Sequence, residues 1–364
     1  MRVAVPKEIK PAERRVGLLP SGAAQLVREG HEVLVEAGAG KGAGFTDDAY
    51  AAAGARVTGR ETVWERAELV VKVKEPVEEE FGFLRPDLTL FAYLHLAADR
   101  PLTEALVAAG TTAVAFETVR AGRVLPLLRP MSEVAGRLAA QAAAHHLQTD
   151  AGGPGILMGG VPGVAAAKVV VVGGGTVGTQ AALAATGLMA DVTVLDASGE
   201  RVRELADLLG RRARVLLSDE HVLEEELAGA DVVVGAVLIP GAAAPKLVRR
   251  EHLALLHDHA LLVDVAIDQG GCFETSHPTT YDDPTFEVDG ITHYCVANMP
   301  GVVPRTATRA LANATTPYLV RLVRDPQGAL AADPGFAAGL NVAGGTVRHP
   351  GVAAAFPDLP AQLG

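Results

Sequence analysis

Cysteine is nearly absent: the chain has two in 364 residues, Cys272 and Cys295, outside any CxxC or finger-like spacing. That pattern supplies neither a disulfide framework nor a structural zinc site. Aromatic residues make up 4% with a single Trp, which argues against a surface that reads bases by stacking. Positive charge is also short. Thirty-two Lys and Arg stand against 43 Asp and Glu, a formal net charge of −11, and no basic stretch is available to release counterions from nucleic acid or an anionic membrane. A local basic pocket for a small anion stays compatible with that total. The opening MRVAVPKE breaks at once into charge and proline, so no signal peptide is read there and a cytoplasmic location is expected. Residues 169–190 carry no charge and reach the roughly 20 residues of a membrane span. Gly173, Gly174, Gly175, Gly178 and Gly187 interrupt the run, so it divides into a strand, a glycine turn and a helix, and no span is expected.

What is present is core material. Hydrophobic residues are 49% and charged residues 21%, and the length predicts two domains at roughly 150 residues each. Short β-branched runs at 2–5, 32–36, 69–73, 88–93 and 112–116 read as strands, with helices at 21–29 and 101–109. A long Ala-rich helix follows at 130–149, capped by Ser132. Beyond it, apolar runs at 168–172, 191–195, 231–237 and 260–265 alternate with helical patterns at 176–188, 200–209, 221–228 and 249–257. Alternation of this kind implies parallel βαβ units, and near-continuous apolar strands suit sheets covered on both faces. A last helix at 304–323 leads back to the first lobe. The last 30 residues, rich in Ala, Gly and Pro, give no pattern.

The sharpest local signal is VVVVGGGTVGTQAA, which sets Gly173, Gly175 and Gly178 in GxGxxG register between a strand and a helix. Such a turn needs tight curvature, backbone approach to a pyrophosphate, and close helix-to-sheet packing, with the helix N-terminus facing the phosphates. The next strand, DVTVLD, ends on Asp196 at the expected distance. An acid there accepts from both ribose hydroxyls and repels a 2′-phosphate, which favours NAD; Arg201 leaves some room for NADP. The bland reading of Asp196 is a helix cap.

Three other segments place polar groups at predicted strand ends. In ELVVKVKEP, Lys72 and Lys74 fall on one strand face, for which the plain alternative is a solvated sheet edge. His95 closes LFAYLHLA, where a core histidine is the usual explanation. Asp264 and Asp268 follow the strand of LLVDVAIDQGG. Parallel sheets bind ligands at carboxyl ends of strands, and Lys74, His95 and Asp268 each lie at one. Arg15 in KPAERRVGLLP joins them from a loop after the first strand. Two cations, an imidazole and a carboxylate suit a 2-oxo or 2-amino acid: Arg15 and Lys74 bind the carboxylate and polarise the carbonyl, while His95 and Asp268 move protons. Met131 and Tyr93 are candidate walls of a small pocket. No metal is expected, since His145-His146 and His257-Asp258-His259 point apart on helices.

Over nearly its whole length the chain resembles the L-alanine dehydrogenases of the alanine dehydrogenase/transhydrogenase α-subunit family. The blocks that carry the likeness include MRVAVPKE, ERRVGLLP, KVKEP, YLHLA, PLLRPMSEVAGRLAAQ, MGGVPGV, VVVVGGGTVG, VLIPGAAAPKLV, VDVAIDQGGCFE, HPTTYDDPTF and YCVANMPG. The resemblance implies two doubly wound Rossmann-like α/β domains with a cleft between them. An NAD-binding domain at 131–303 is then inserted into a discontinuous substrate domain at 1–130 plus 304–364. It implies NAD-dependent reversible oxidative deamination of L-alanine to pyruvate and ammonium through iminopyruvate. It assigns substrate binding to Arg15 and Lys74 and acid/base work to His95 and Asp268. NAD contacts are implied for Ser132, Thr176, Val177, Asp196, Arg201, Ser218, Val237, Leu238, Val265, Ala266, Ile267, Asp268, Val296, Ala297, Asn298 and Met299, beside the three glycines. Where Arg201 stands the family often has Lys, and where His277 stands it often has Arg. A homo-hexamer is also implied. The rival reading is a non-catalytic NAD(H)-binding subunit like that of the transhydrogenases; a second rival is a relative of the lysine-forming saccharopine dehydrogenases.

Overall fold

Strand-forming runs of Val, Leu and Ala set the frame. The computed structural model describes residues 1–237 and 245–363. Its strands are β1 (Arg2–Val5), β2 (Glu32–Glu36), β3 (Arg56–Thr58), β4 (Leu69–Val71), β5 (Thr89–Ala92), β6 (Thr112–Ala115), β7 (Lys168–Val172), β8 (Asp191–Asp196), β9 (Arg214–Leu217), β10 (Val232–Gly235), β11 (Leu261–Asp264), β12 (Thr285–Val288), β13 (Ile291–Tyr294), β14 (Leu340–Ala343) and β15 (Thr346–Val347). The chain divides into two compact units, Met1–Met131 with Gly301–Gly364, and Ser132–Pro300.

The first unit holds an eight-stranded sheet in the order β15-β14-β6-β5-β4-β1-β2-β3. Strands β1 to β6 are parallel, and β14 and β15 add antiparallel pairs at one edge. The second holds a seven-stranded sheet, β12-β13-β11-β10-β7-β8-β9, in which only the β12–β13 pairing is antiparallel. Within each sheet six parallel strands follow the doubly wound order, reversing direction at β1/β4 and at β7/β10. Both expected α/β Rossmann-like domains are therefore present, one inserted in the other.

Period-two alternation explains the cores. In the second unit Val169, Val171, Val232 and Val234 join one buried cluster, while Val170, Val172 and Val233 join another on the opposite face. Both faces are covered, so the strands read as unbroken apolar runs. In the first unit Ala4, Leu34, Val70, Leu90 and Ala113 pack with Trp64 in a single cluster. Among the described residues no helix is long and apolar enough to cross a membrane; the uncharged run splits into β7, a glycine turn and the helix Thr176–Gly187.

Several local expectations need correction. The long helix runs Arg129–His146, so Ser132 lies within its first turn rather than capping it. Residues 250–255 form a 3-10 helix, tighter than the α-helix read from their pattern. The uninformative last 30 residues contain the two edge strands and the helix Pro350–Ala355. Strand β4 is central in its sheet, which rules out the solvated-edge reading of Lys72 and Lys74.

Candidate functional site

In the first unit β1, β4 and β5 are neighbours whose carboxyl ends open side by side around the point where strand order reverses. The loop after β1 carries Arg15, that after β4 carries Lys74, and that after β5 carries His95. Close packing holds the first two loops together. A Cβ on Gly17 would lie 2.8 Å from the Val71 carbonyl oxygen, so only glycine lets the Arg15 loop cross the end of β4. Glu8 reinforces that join by accepting the Val73 amide at 2.7 Å.

Arg15 is buried and held by Glu13, whose carboxylate accepts from the Arg15 Nε at 2.7 Å and its backbone N–H at 2.9 Å. Arg15 Nη1 lies 3.0 Å from the Met131 sulfur. Burial alone would lower the guanidinium pKa, but the hydrogen bond to Glu13 together with the charges of Glu13 and Glu8 and the Tyr93 hydroxyl outweighs it and raises the value. Lys74 is half-buried. Burial would raise the adjacent Glu75 carboxyl, yet Lys74 and the Lys10 contact hold it below the ordinary carboxylate range. Lys72 behaves differently from its neighbour. It is 1% exposed and donates to both Glu80 oxygens at 2.7 and 2.6 Å, with Glu8 3.7 Å away. It is a core ion pair, not a substrate ligand.

His95 is exposed, in a left-handed backbone conformation (φ 49°, ψ 34°). Its ring stacks 6.1 Å from that of Tyr93, which is buried and donates its hydroxyl to the Leu127 carbonyl at 2.6 Å. The Glu117 carboxylate accepts the His95 amide at 2.7 Å and the Leu94 amide at 3.2 Å. Arg15, Lys74 and His95 thus gather in one unit, and Asp268 belongs to the other.

In the second unit the glycine turn follows β7 at the reversal between β7 and β10. Gly173 has φ 99°, and a Cβ there would meet Val237 Cγ2 at 2.7 Å; a Cβ on Gly178 would lie 1.8 Å from the Gly173 carbonyl oxygen. Gly175 is exposed with nothing within 4 Å of its Cβ position, and the helix that begins at Thr176 has no side-chain cap. Its first amides, including those of Thr176 and Val177, therefore face an open cradle. Gly136, one turn after Ser132, brings the helix Arg129–His146 against the Val177 carbonyl, where a Cβ would lie at 2.2 Å.

Asp196 ends β8 and accepts the Gly174 amide at 2.8 Å and the Ser198 amide at 2.8 Å. The helix cap is Ser198, so the capping reading of Asp196 falls. Arg201 gives its Nε to the Gly174 carbonyl and its Nη2 to the Thr179 hydroxyl, both at 2.7 Å, bracing the turn. The half-buried Ser218 follows β9 and donates its amide to the Asp196 carbonyl at 2.9 Å. An open anion cradle beside an acid at the end of the next strand fits a dinucleotide.

Asp268 is exposed on the turn after β11, in the stretch Val265, Ala266, Ile267, Asp268. Its carboxylate accepts the Asn298 amide at 3.2 Å, which ties that turn to Val296, Ala297, Asn298 and Met299 after β13. Leu238 lies outside the described residues. His277 stacks on Phe286 with ring centroids 3.6 Å apart. Among the described residues no group of three His, Cys, Asp or Glu side chains could hold a metal. Cys272 and Cys295 are buried free thiols; burial pushes Cys272 well up and Cys295 to about 11.

Sequence reasoning missed the groups that hold these side chains. Glu13 and Glu117 secure Arg15 and His95. Fully buried Asp264 accepts the Ala266, Cys272 and Phe273 amides at 3.1 to 3.3 Å, while Lys246 donates to the Gly271 and Phe273 carbonyls at 3.0 Å. Of these only Asp264 had a signal, its place at the end of an apolar run.

Comparison with known proteins identifies the family to which this fold belongs. Residues 4–135 match the family model "Alanine dehydrogenase/PNT, N-terminal domain" and residues 139–350 match "Alanine dehydrogenase/PNT, C-terminal domain". The chain is 55% identical over 359 residues to the alanine dehydrogenase of Halomonas elongata, covering 98% of this chain and 97% of that one. It is 51% identical over 356 residues to that of Bacillus subtilis, covering 97% and 94%. A solved L-alanine dehydrogenase superposes with a TM-score of 0.95 at 50% identity, covering 98% of this chain and 99% of the other. A transhydrogenase from Sinorhizobium meliloti gives 0.81 at 28% identity, covering 96% and 99%. Two successive domain matches and full-length identity above one half lead to one conclusion: the chain belongs to the alanine dehydrogenase/PNT family.

Proposed function

We propose that this chain is an alanine dehydrogenase, an oxidoreductase that converts L-alanine and NAD⁺ reversibly to pyruvate, ammonium and NADH. The observation that carries the reading is the gathering of Arg15, Lys74 and His95 at the ends of β1, β4 and β5. The family uses NAD, and the open cradle at Gly175 with Asp196 beside it fits that cofactor.

When bound, NAD⁺ accepts the hydride from the alanine Cα. Arg15 and Lys74 bind the substrate carboxylate and draw electron density from the carbon that becomes the carbonyl. Glu13 keeps the buried Arg15 oriented and compensated. His95 and Asp268 form the acid/base pair: they deprotonate the water that adds to iminopyruvate and protonate the nitrogen that leaves as ammonia. Tyr93 and Met131 wall the small side-chain pocket beside Arg15. Asp196 accepts from the adenosine ribose hydroxyls, with Arg201 and Ser218 beside it. The remaining cofactor contacts come from Ser132, Gly173, Gly175, Thr176, Val177, Gly178, Val237, Leu238, residues 265–268 and residues 296–299.

The reading includes a cytoplasmic location, where alanine, pyruvate and NAD meet, no nucleic-acid or membrane partner, and assembly as a homo-hexamer. In support of self-association, Leu157, Val161, Val164, Leu188 and Met189 are all exposed on the second unit, and Gly159 joins their two segments, its Cβ position 3.1 Å from the Met189 Cβ.

The decisive assay follows NADH absorbance in the near ultraviolet with L-alanine and NAD⁺, run against serine, glycine, and lysine plus 2-oxoglutarate. Alanine should give the fastest growth. Tight NADH binding with no turnover of alanine would overturn the reading in favour of a transhydrogenase-like subunit.

A further inference from the structure

The backbone at His95 is the most telling feature that the reaction itself leaves unexplained. A histidine in the left-handed region is uncommon and carries a steric cost that glycine does not. Conformations of this kind persist where surrounding groups over-determine them, and they cluster at working sites. Here the surrounding group is Glu117, on the 3-10 turn Phe116–Thr118 that follows β6, the strand beside β5. One carboxylate takes two successive amides: Oε1 accepts from His95 at 2.7 Å, and both oxygens lie 3.2 Å from the Leu94 nitrogen. Carboxylate-to-amide bonds are charge-assisted and stronger than neutral ones. The clamp serves a residue whose own ring is exposed and stacks on Tyr93. A turn needing shape alone is met by glycine.

We propose that Glu117 is a positioning residue for the reaction: its carboxylate fixes the left-handed turn at residue 95 and so aims the His95 imidazole at the substrate. The proposal rests on the reading of His95 as an acid/base group. Glu117 acts through the reach of one oxygen, Oε1, which by itself accepts both the His95 and the Leu94 amides. Glutamine, which keeps the length and one acceptor oxygen, should therefore replace it better than aspartate, which keeps the charge but is one methylene short.

The test compares Glu117→Gln, Glu117→Asp, Glu117→Ala and His95→Ala in the full-length protein. It measures kcat, the KM for L-alanine and NADH affinity by fluorescence titration, and it includes a crystal structure of Glu117→Ala. The Ala and Asp variants should lose roughly a hundred-fold in kcat, the cost of a misplaced catalytic group. KM and NADH affinity should stay within about two-fold, because binding is untouched. The Gln variant should stay within about ten-fold of the parent, and His95 should leave the left-handed region in the Ala variant. Wild-type kcat in the Ala or Asp variant, or a Gln variant as impaired as Ala, overturns the proposal. If the Ala variant does not fold, the Gln and Asp pair decides by the same criteria. The control separates the two ideas. An inactive His95→Ala beside a fully active Glu117→Ala sinks only the positioning role, whereas an active His95→Ala sinks the acid/base reading and the positioning role with it.

Discussion

Lys72 and Lys74 are two residues apart and have opposite fates. Lys72 is sealed in the core with Glu80 at its ammonium, so truncating it would leave the buried carboxylate without its hydrogen-bonded cation, with Arg60 Nη2 3.9 Å away. Lys72→Ala should cost about 3–5 kcal/mol in denaturant unfolding, whereas Lys74→Ala should cost activity and little stability. Glu8 lies beside this pair. Burial pushes its carboxyl from the usual 4.5 to about 7, against the pull of Lys72 and the Val73 amide. The folded state therefore holds this proton more tightly than the unfolded chain does. The stabilisation is complete below about pH 4.5 and is lost as pH rises through about 7. Glu8→Gln removes that dependence, so its melting temperature relative to the parent should rise between about pH 5 and about pH 8; a constant difference would show that Glu8 does not titrate in this window. His95→Ala should abolish turnover while NADH still binds, as read by fluorescence.

At the scale of the element, the glycine turn after β7 separates two uses of the same residue. Gly178 has no room for a side chain, since a Cβ would sit 1.8 Å from the Gly173 carbonyl oxygen. Gly175 has a normal backbone and open space. Gly178→Ala should therefore lower the melting temperature and expression yield. Gly175→Ala should keep the parent stability but weaken NADH binding, because its methyl group occupies the cradle. Equal stability loss in both would refute the distinction. Asp196→Ser should weaken NAD use and raise relative use of NADP; an unchanged ratio of kcat/KM values would refute the ribose role. The strand, the turn and Asp196 were legible because each answers a local demand of chain geometry. The supports were not. Glu117 reaches His95 across 22 residues and Lys246 reaches Gly271 across 25, and no local pattern marks such partners.

At the scale of the molecule, the acidic total of −11 does not conflict with the anionic ligands proposed for the chain, because in that reading Arg15, Lys74 and a helix N-terminus act locally. The exposed side chains of Leu157, Val161, Val164, Leu188 and Met189 are where assembly should be tested. Val161→Asp with Met189→Asp should convert the proposed hexamer to smaller species in sedimentation velocity, since a charge buried without a partner opposes association. An unchanged hexamer would remove this surface from the interface.

The strand–helix alternation, the dinucleotide turn and the two-domain α/β plan were determined by the sequence alone, because they follow from residue periodicity and turn chemistry within short windows; β3, β9 and β12 to β15 were not read from it. Its two cysteines and few aromatics argued against a disulfide framework and a base-stacking surface. Only the tertiary structure decided that β4 is central and that Lys72 is a buried ion-pair member while Lys74 is not. It also decided that Ser198, not Asp196, caps its helix, that Glu13 pairs with Arg15 and Glu117 accepts the His95 amide, and that Asp264 ties down the loop after β11. These depend on which strand lies beside which and on what surrounds a charge once water is removed, and neither is written in the spacing of residues along the chain.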